Sequence, residues 1–202
     1  MKILRDTNAA RRILLREIAS IQTGFSFRNG LNIGPAGALV LQIKDIASDG
    51  NVKMDGISRI PDATVKDMHF IREGDIVFRS RGNFLNSGVF PATEERVILS
   101  APLTKITPDK NAALPEYLVW HINGRAGQAY IAGIAEGTAV KMVSIPSLGG
   151  MPIALPPLEL QRSICDALIL QKKEKLLATL IMEKRELLLD MTISRALEYK
   201  GD

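Results

Sequence analysis

The spacing of apolar positions changes character several times along the chain. Residues 9–19 (AARRILLREIA) carry apolar side chains at helical intervals. That spacing predicts a short first helix with Ile13, Leu14 and Ile18 inward and Arg11, Arg12 and Arg16 outward. The outward arginines are either simply solvated or also in touch with phosphate. From 20 to 106 the pattern becomes that of strands. ALVLQIKDI (38–46) is rich in apolar and β-branched residues and ends in the turn cluster SDGN. DIVFRSR (75–81) follows the turn REGD and reads as a strand. RVILSAPLTKI (96–106) reads as another, with Pro102 marking an edge or bulge. PEYLVWHIN (115–123) returns to helical period, with Pro115 suited to a first helical turn. Six glycines between 124 and 150 predict loops around one short helix.

The last segment is different. After Pro156 and Pro157 there is no proline or glycine until Gly201. Leu160, Ile164, Leu168, Leu176, Leu180, Leu187 and Met191 form an apolar stripe, and Leu177, Ile181 and Leu188 widen it. QKKEK (171–175) and Lys184 interrupt it. A helix of roughly 40 residues is about 60 Å long, whereas a domain of about 155 residues has a radius of gyration near 15 Å. Such a helix either folds back as a hairpin or finds a partner helix. The absence of a turn signal between 158 and 200 favours the partner. The fold class expected is α+β: a β-rich domain with short helices over 1–155, then a long C-terminal helix over 156–202 in a coiled coil with a partner helix.

Composition sharpens this picture. The chain has 202 residues, 46% hydrophobic and 24% charged, enough apolar content for a folded core. It has no apolar run of membrane-spanning length and no recognisable signal peptide, so a cytoplasmic chain is expected. The single cysteine, Cys165, gives neither an intrachain disulfide nor a thiolate cluster. The net charge of +4 is unevenly distributed. Residues 1–30 hold six bases (Lys2, Arg5, Arg11, Arg12, Arg16, Arg28) and two acids, whereas 31–155 and 156–202 are each neutral. A neutral helix suits protein contact better than DNA contact.

Catalytic chemistry is not evident. G-x-S-x-G, H-E-x-x-H and the phosphate-binding G-x-x-x-x-G-K-[ST] are all missing, as is the Asn-Pro-Pro-aromatic motif of amino-methyltransferases. No catalytic residue and no metal ligand is assigned. The informative stretch is REGDIVFRSRGNFLNSGVF (72–90). Between Ile76 and Thr93 it holds Arg79, Arg81 and no acid. On a strand these two arginines share a face, and Asn83 and Asn86 follow in a loop. Arginine pairs with guanine and asparagine with adenine on major-groove edges. The plainer alternative is a hairpin with two surface arginines.

Taken in order, several segments resemble the specificity (S) subunit of Type I restriction–modification systems, in a half-length form. Glu17-Ile18-Ala19-Ser20-Ile21 with Gly24-Phe25-Ser26-Phe27 resembles the opening of a target-recognition domain. Glu73-Gly74-Asp75-Ile76-Val77-Phe78-Arg79-Ser80-Arg81-Gly82 resembles the family's "pGDil..r.G" segment. Leu114-Pro115-Glu116-Tyr117-Leu118 is similar to its "peYl" helix start. The stretch 152–164 (PIALPPLELQRSI) resembles "iplPpl.eQ..I", which leads into its long helix, with Leu160 where an acid is usual.

The resemblance implies a non-catalytic chain that binds double-stranded DNA and reads half of a bipartite target. Its helix would pair with that of a second copy or a second half-subunit and set the spacing. It further implies modification subunits that bring S-adenosylmethionine and methylate adenine, and a restriction subunit that cleaves. No cofactor is expected on this chain. Residue chemistry then makes Arg79, Arg81, Asn83 and Asn86 candidates for base edges or nearby backbone, and Arg11, Arg12, Arg28 and Lys141 candidates for phosphate. The competing readings are a protein-interaction adaptor working through its helix and an enzyme with an unrecognised site.

Overall fold

The computed structural model describes residues 11–27, 33–61 and 65–198. The chain divides into two units, Met1–Gln161 and Arg162–Asp202.

The first unit begins with a correction. Instead of one helix over 9–19, the described residues form strand β1 (Arg11–Leu14), a single helical turn α1 (Leu15–Ile18) and strand β2 (Ala19–Thr23). Tertiary pairing overrides the local helical spacing. β1 pairs antiparallel with a late strand, β10 (Pro152–Leu155), while β2 pairs with β9 (Leu103–Pro108). Leu15 and Ile18 are buried, whereas Ile13 and Leu14 are only half-buried.

Two four-stranded sheets supply the core. One has the order β2-β9-β6-β7, with β6 at Ile76–Arg79 and β7 at Ser87–Val89. The other is β4-β3-β8-β5, formed by Arg59–Ile60, Ala38–Leu41, Val97–Leu99 and Phe70–Ile71. Its centre is a parallel pair, β3 with β8. Leu39, Leu41, Val97 and Leu99 enter one apolar cluster with Val77, Phe90 and Leu103; Ala38, Val40 and Ile98 enter a second with Ile60 and Phe70. Strands buried on both faces read as continuous apolar runs, which is why ALVL and VIL show no polar alternation. The expected strand over 38–46 ends at Leu41, and Ile43–Asp45 form a 3-10 turn. The expected strand over 96–106 is two strands with Pro102 in the turn between them.

Helix α2 (Pro115–Asn123) lies where its pattern predicts. The glycine-rich stretch after it holds two helices, α3 (Arg125–Ile134) and α4 (Ile145–Gly149), where one was expected. The buried Gln161, at the start of the long helix α5 (Leu158–Glu198), ties α2 to the end of β10. Its Oε1 accepts from the Leu114 amide (2.9 Å), and its Nε2 donates to the carbonyls of Ala112 (2.9 Å) and Pro156 (2.8 Å). The Tyr117 hydroxyl donates to the Ala154 carbonyl, and His121 Nε2 lies 3.1 Å from the Pro152 carbonyl. These three polar residues tie Ala112–His121 to Pro152–Gln161.

In the second unit α5 continues without a break. From Gln171 to Leu197 every side chain is exposed.

Candidate nucleic-acid interface

β6 ends at Arg79, and the chain returns at Asn86, whose carbonyl accepts from the Arg79 amide (2.9 Å). Cross-strand neighbours point to the same face, and these two side chains share one task. Arg79 Nη1 donates to the Ile46 carbonyl (3.2 Å), and Asn86 Nδ2 donates to those of Ala47 (3.3 Å) and Ser48 (2.7 Å). They hold the turn 46–51 against β7. Two glycines make that approach feasible: a Cβ on Gly88 would lie 1.8 Å from the Gly50 carbonyl oxygen, and one on Gly50 2.1 Å from that of Ser87. The Asn86 side chain is buried, and its Nδ2 is engaged by backbone carbonyls. Arg79 is half-buried.

The intervening loop, 80–86, is anchored at its base by the Ser80 hydroxyl donating to the Pro102 carbonyl. Gly82 turns it with φ of +117°, a value that a side chain would disfavour. A second loop runs beside it. Glu136 and Met142 pair with each other, Gly82 donates its amide to the Lys141 carbonyl (2.9 Å), and Val143 donates to that of Ser80 (2.9 Å). Arg81 consequently faces Met142 across an isolated bridge. The structure thus gathers Arg79, Arg81, Asn83, Asn86 and Lys141 from two loops.

Arg81, Asn83 and Lys141 are exposed, and no ion pair involving Arg81 or Lys141 is present among the described residues. Other bases are engaged. Arg59 pairs with Glu95 (2.5 Å) and Arg72 with Asp67 (2.9 Å). The guanidinium of Arg96 lies 4.3 Å from the Phe70 ring centre. Lys105 Nζ donates to the carbonyls of Met68 (2.7 Å) and Phe70 (3.0 Å), and partial burial lowers its pKa. Arg11 and Arg12 are exposed on β1, in the separate two-stranded sheet with β10. Arg28 lies outside the described residues.

Sequence reasoning missed Phe84. It is 54% exposed, and the Arg79 guanidinium sits 5.7 Å from its ring centre. Met142 is exposed on the neighbouring loop. A lone phenylalanine between Leu85 and Asn83 gives no periodic signal, but its position in an acid-free loop was a usable hint. Phe84 also walls a concavity of about 350 Å³ lined by Ser48, Asp49, Asn83, Leu85, Asn86, Asn123 and Gln128.

On α5, Leu160, Ile164 and Leu168 are half-buried, while Leu176, Leu180, Leu187 and Met191 are exposed. An apolar groove runs along Leu177, Leu180, Ile181, Lys184, Arg185 and Leu188, beside the expected stripe. Met182, Leu189, Ile193 and Leu197 are exposed too, and the 3.6-residue period sets them on another side of the helix. α5 therefore has two apolar faces where the sequence reading saw one. Among the described residues no three His, Cys, Asp or Glu side chains form a metal-holding group, and no helix is long and apolar enough to cross a membrane.

No protein-family model matches the chain, and no curated protein matches it. Solved structures do match. The HsdS subunit from Thermoanaerobacter tengcongensis superposes with a TM-score of 0.62 at 20% identity, over 81% of this chain and 37% of that one. The chain shares its fold with HsdS. A structure from work on complex assembly and conformational transition of the type I R-M system gives a TM-score of 0.62 and 20% identity, over 81% of this chain and 38% of that one. The S subunit of the Type I restriction–modification system from M. genitalium gives 0.57 and 15%, over 92% and 45%. The chain thus spans less than half the length of each of these HsdS-like structures.

Proposed function

We propose that this chain is a non-catalytic DNA-recognition subunit of a Type I restriction–modification complex. It reads one half of a bipartite duplex target and directs adenine methylation, and cleavage where a restriction subunit is present, by partner subunits. The observation that carries this reading is the pairing of an HsdS-like fold with an exposed two-loop surface bearing Arg81, Asn83 and Lys141. Arginine and asparagine suit base edges, and lysine suits phosphate.

The two apolar faces of α5 support a helix with more than one neighbour. One face, centred on Leu180, pairs with the α5 of a second copy or of another half-subunit. The other, with Met182, Leu189 and Ile193, meets a modification subunit, which carries the S-adenosylmethionine. Two copies related by a twofold axis would read an interrupted palindrome.

The experiment is to map methylated adenines in cells with and without this chain. A bipartite methylated motif that disappears with the chain is the expected result; an unchanged methylation map overturns the reading. The exposed apolar helix also fits an adaptor that binds only protein. Duplex binding that weakens steeply with salt separates the two.

A further inference from the structure

The outer part of α5 carries a charge pattern on one of its apolar faces. On the helical period, Lys173, Lys184 and Arg195 follow one another at intervals of about three turns, each displaced by only about 20° around the axis. The same face, within about 60° of Lys184, holds Leu177, Leu180, Ile181, Leu187, Leu188 and Met191. Between Gln171 and Leu197 the acids are Glu174, Glu183, Glu186 and Asp190, and each lies about 80° or more from Lys184. The apolar groove on this face is lined by Lys184 and Arg185 and by no acid. Lys173, Lys184 and Arg195 are all exposed, and no ion pair involving them is present among the described residues. Their charge is not spent within the helix.

A second copy fits this seam poorly. Parallel pairing in register sets each cation against itself. Antiparallel pairing about Lys184 aligns Leu177 with Met191 and Ile181 with Leu187, but it sets Lys184 against Lys184 and Lys173 against Arg195. An antiparallel offset that brings Arg195 to Asp166 leaves Lys184 against Leu177 and Lys173 against Leu188. The first two arrangements oppose like charges across the seam. The third desolvates two cations without a partner, which is costly.

We infer that this face selects, over a second copy of this chain, an amphipathic helix of a different chain that presents aspartate or glutamate opposite Lys184 and again about three turns to either side. The inference rests on the pairing role proposed above for this face and narrows its occupant. Apolar contact attracts either partner, and the cations supply the difference between them, since specificity is a difference of affinities. A single lysine in a helical seam already fixes the choice of partner at a cost in self-pairing. Here the device is repeated on both sides of Lys184.

The test uses the whole chain in sedimentation velocity with fluorescence detection. Labelled wild type is titrated with unlabelled wild type, or with a charge-reversed copy, Lys173→Glu/Lys184→Glu/Arg195→Glu, which stands in for an acid-bearing helix. The mixed pair should bind about tenfold or more tighter than the wild-type pair. Added sodium chloride should tighten the wild-type pair, by screening like charges, and loosen the mixed one. Lys184→Leu should self-associate about fivefold or more tighter than wild type. All of these substitutions alter exposed positions of α5 and introduce good helix formers, so the variants should fold.

A wild-type pair as tight as the mixed pair overturns the inference, as does a wild-type pair that salt loosens or a Lys184→Leu chain that pairs no better than wild type. Pairing in no mixture overturns it together with the pairing role of this face. Duplex binding measured on the same samples reports on DNA recognition by itself. A chain that binds duplex with no charge preference along α5 keeps the DNA reading and loses this inference. One that shows the charge preference but binds no duplex keeps this inference and loses the DNA reading.

Discussion

Gln161 and Leu114 lie 47 positions apart, yet the Gln161 side-chain Oε1 accepts from the backbone amide that opens helix α2. The same side chain donates to Ala112 and Pro156, so all of its bonds join the entry to α2 with the entry to α5. Gln161→Ala leaves buried backbone groups without partners, each worth about 1–3 kcal/mol, and should lower stability by about 2–4 kcal/mol in urea unfolding. Gln161→Glu should be comparably destabilised at neutral pH, because a carboxylate cannot donate to the two carbonyls. Stability should partly return as acid protonates it.

His121 adds a pH dependence. Burial lowers its pKa below the ordinary 6.5, partly offset by its hydrogen bond to the Pro152 carbonyl. The unfolded chain therefore takes up the proton first as pH falls. The unfolding free energy should be flat above about pH 7 and decline as pH drops through 6.5 toward the lower folded value. In His121→Gln that decline should shrink. Urea midpoints measured between about pH 5 and 8 check this, and an identical slope in the variant would refute it.

The two-loop surface separates two kinds of contact. Arg81→Ala should cost about 1–3 kcal/mol at one position of the target while leaving other positions unaffected. Lys141→Ala should weaken all sequences alike and flatten the salt slope by about one. Arg79→Ala should behave differently again, reducing thermal stability as well as binding, because it releases the Ile46 carbonyl and the Phe84 ring. Competition binding against a panel of duplexes, with melting curves, distinguishes the three patterns.

The helix can be tested by charge. Ile181→Lys combined with Leu188→Lys puts two cations into the groove next to Lys184 and Arg185. Sedimentation should move the assembly to monomer while the circular dichroism of the β-rich unit is retained. Unchanged mass would remove the pairing role from this face.

The α+β class, α2 and the long helix were readable because each depends on local pattern: Pro115 opening a helical run, or forty residues without a breaker. The β1-α1-β2 entry was not, because Arg11–Leu14 become a strand only through β10, more than 130 positions later. Asn86 was picked out for its base-pairing chemistry, but its donor is spent on a turn that only Gly50 and Gly88 bring near. Gln161 stood out only as the glutamine of the "eQ" motif; its bonds to Leu114 and Ala112 depend on long-range packing that the helical run does not show. Arg81 and Lys141 were named separately in the sequence, and the Gly82–Lys141 bond is what makes them neighbours.

The unbroken exposure of α5 from Gln171 to Leu197 gives the two units different laws of stability. The β-rich unit holds together by contacts within one chain, so its melting should not depend on protein concentration. In the proposed assembly the outer part of α5 packs against another molecule. Its order is then a mass-action property, and its melting temperature should rise with protein concentration while that of the β-rich unit stays fixed.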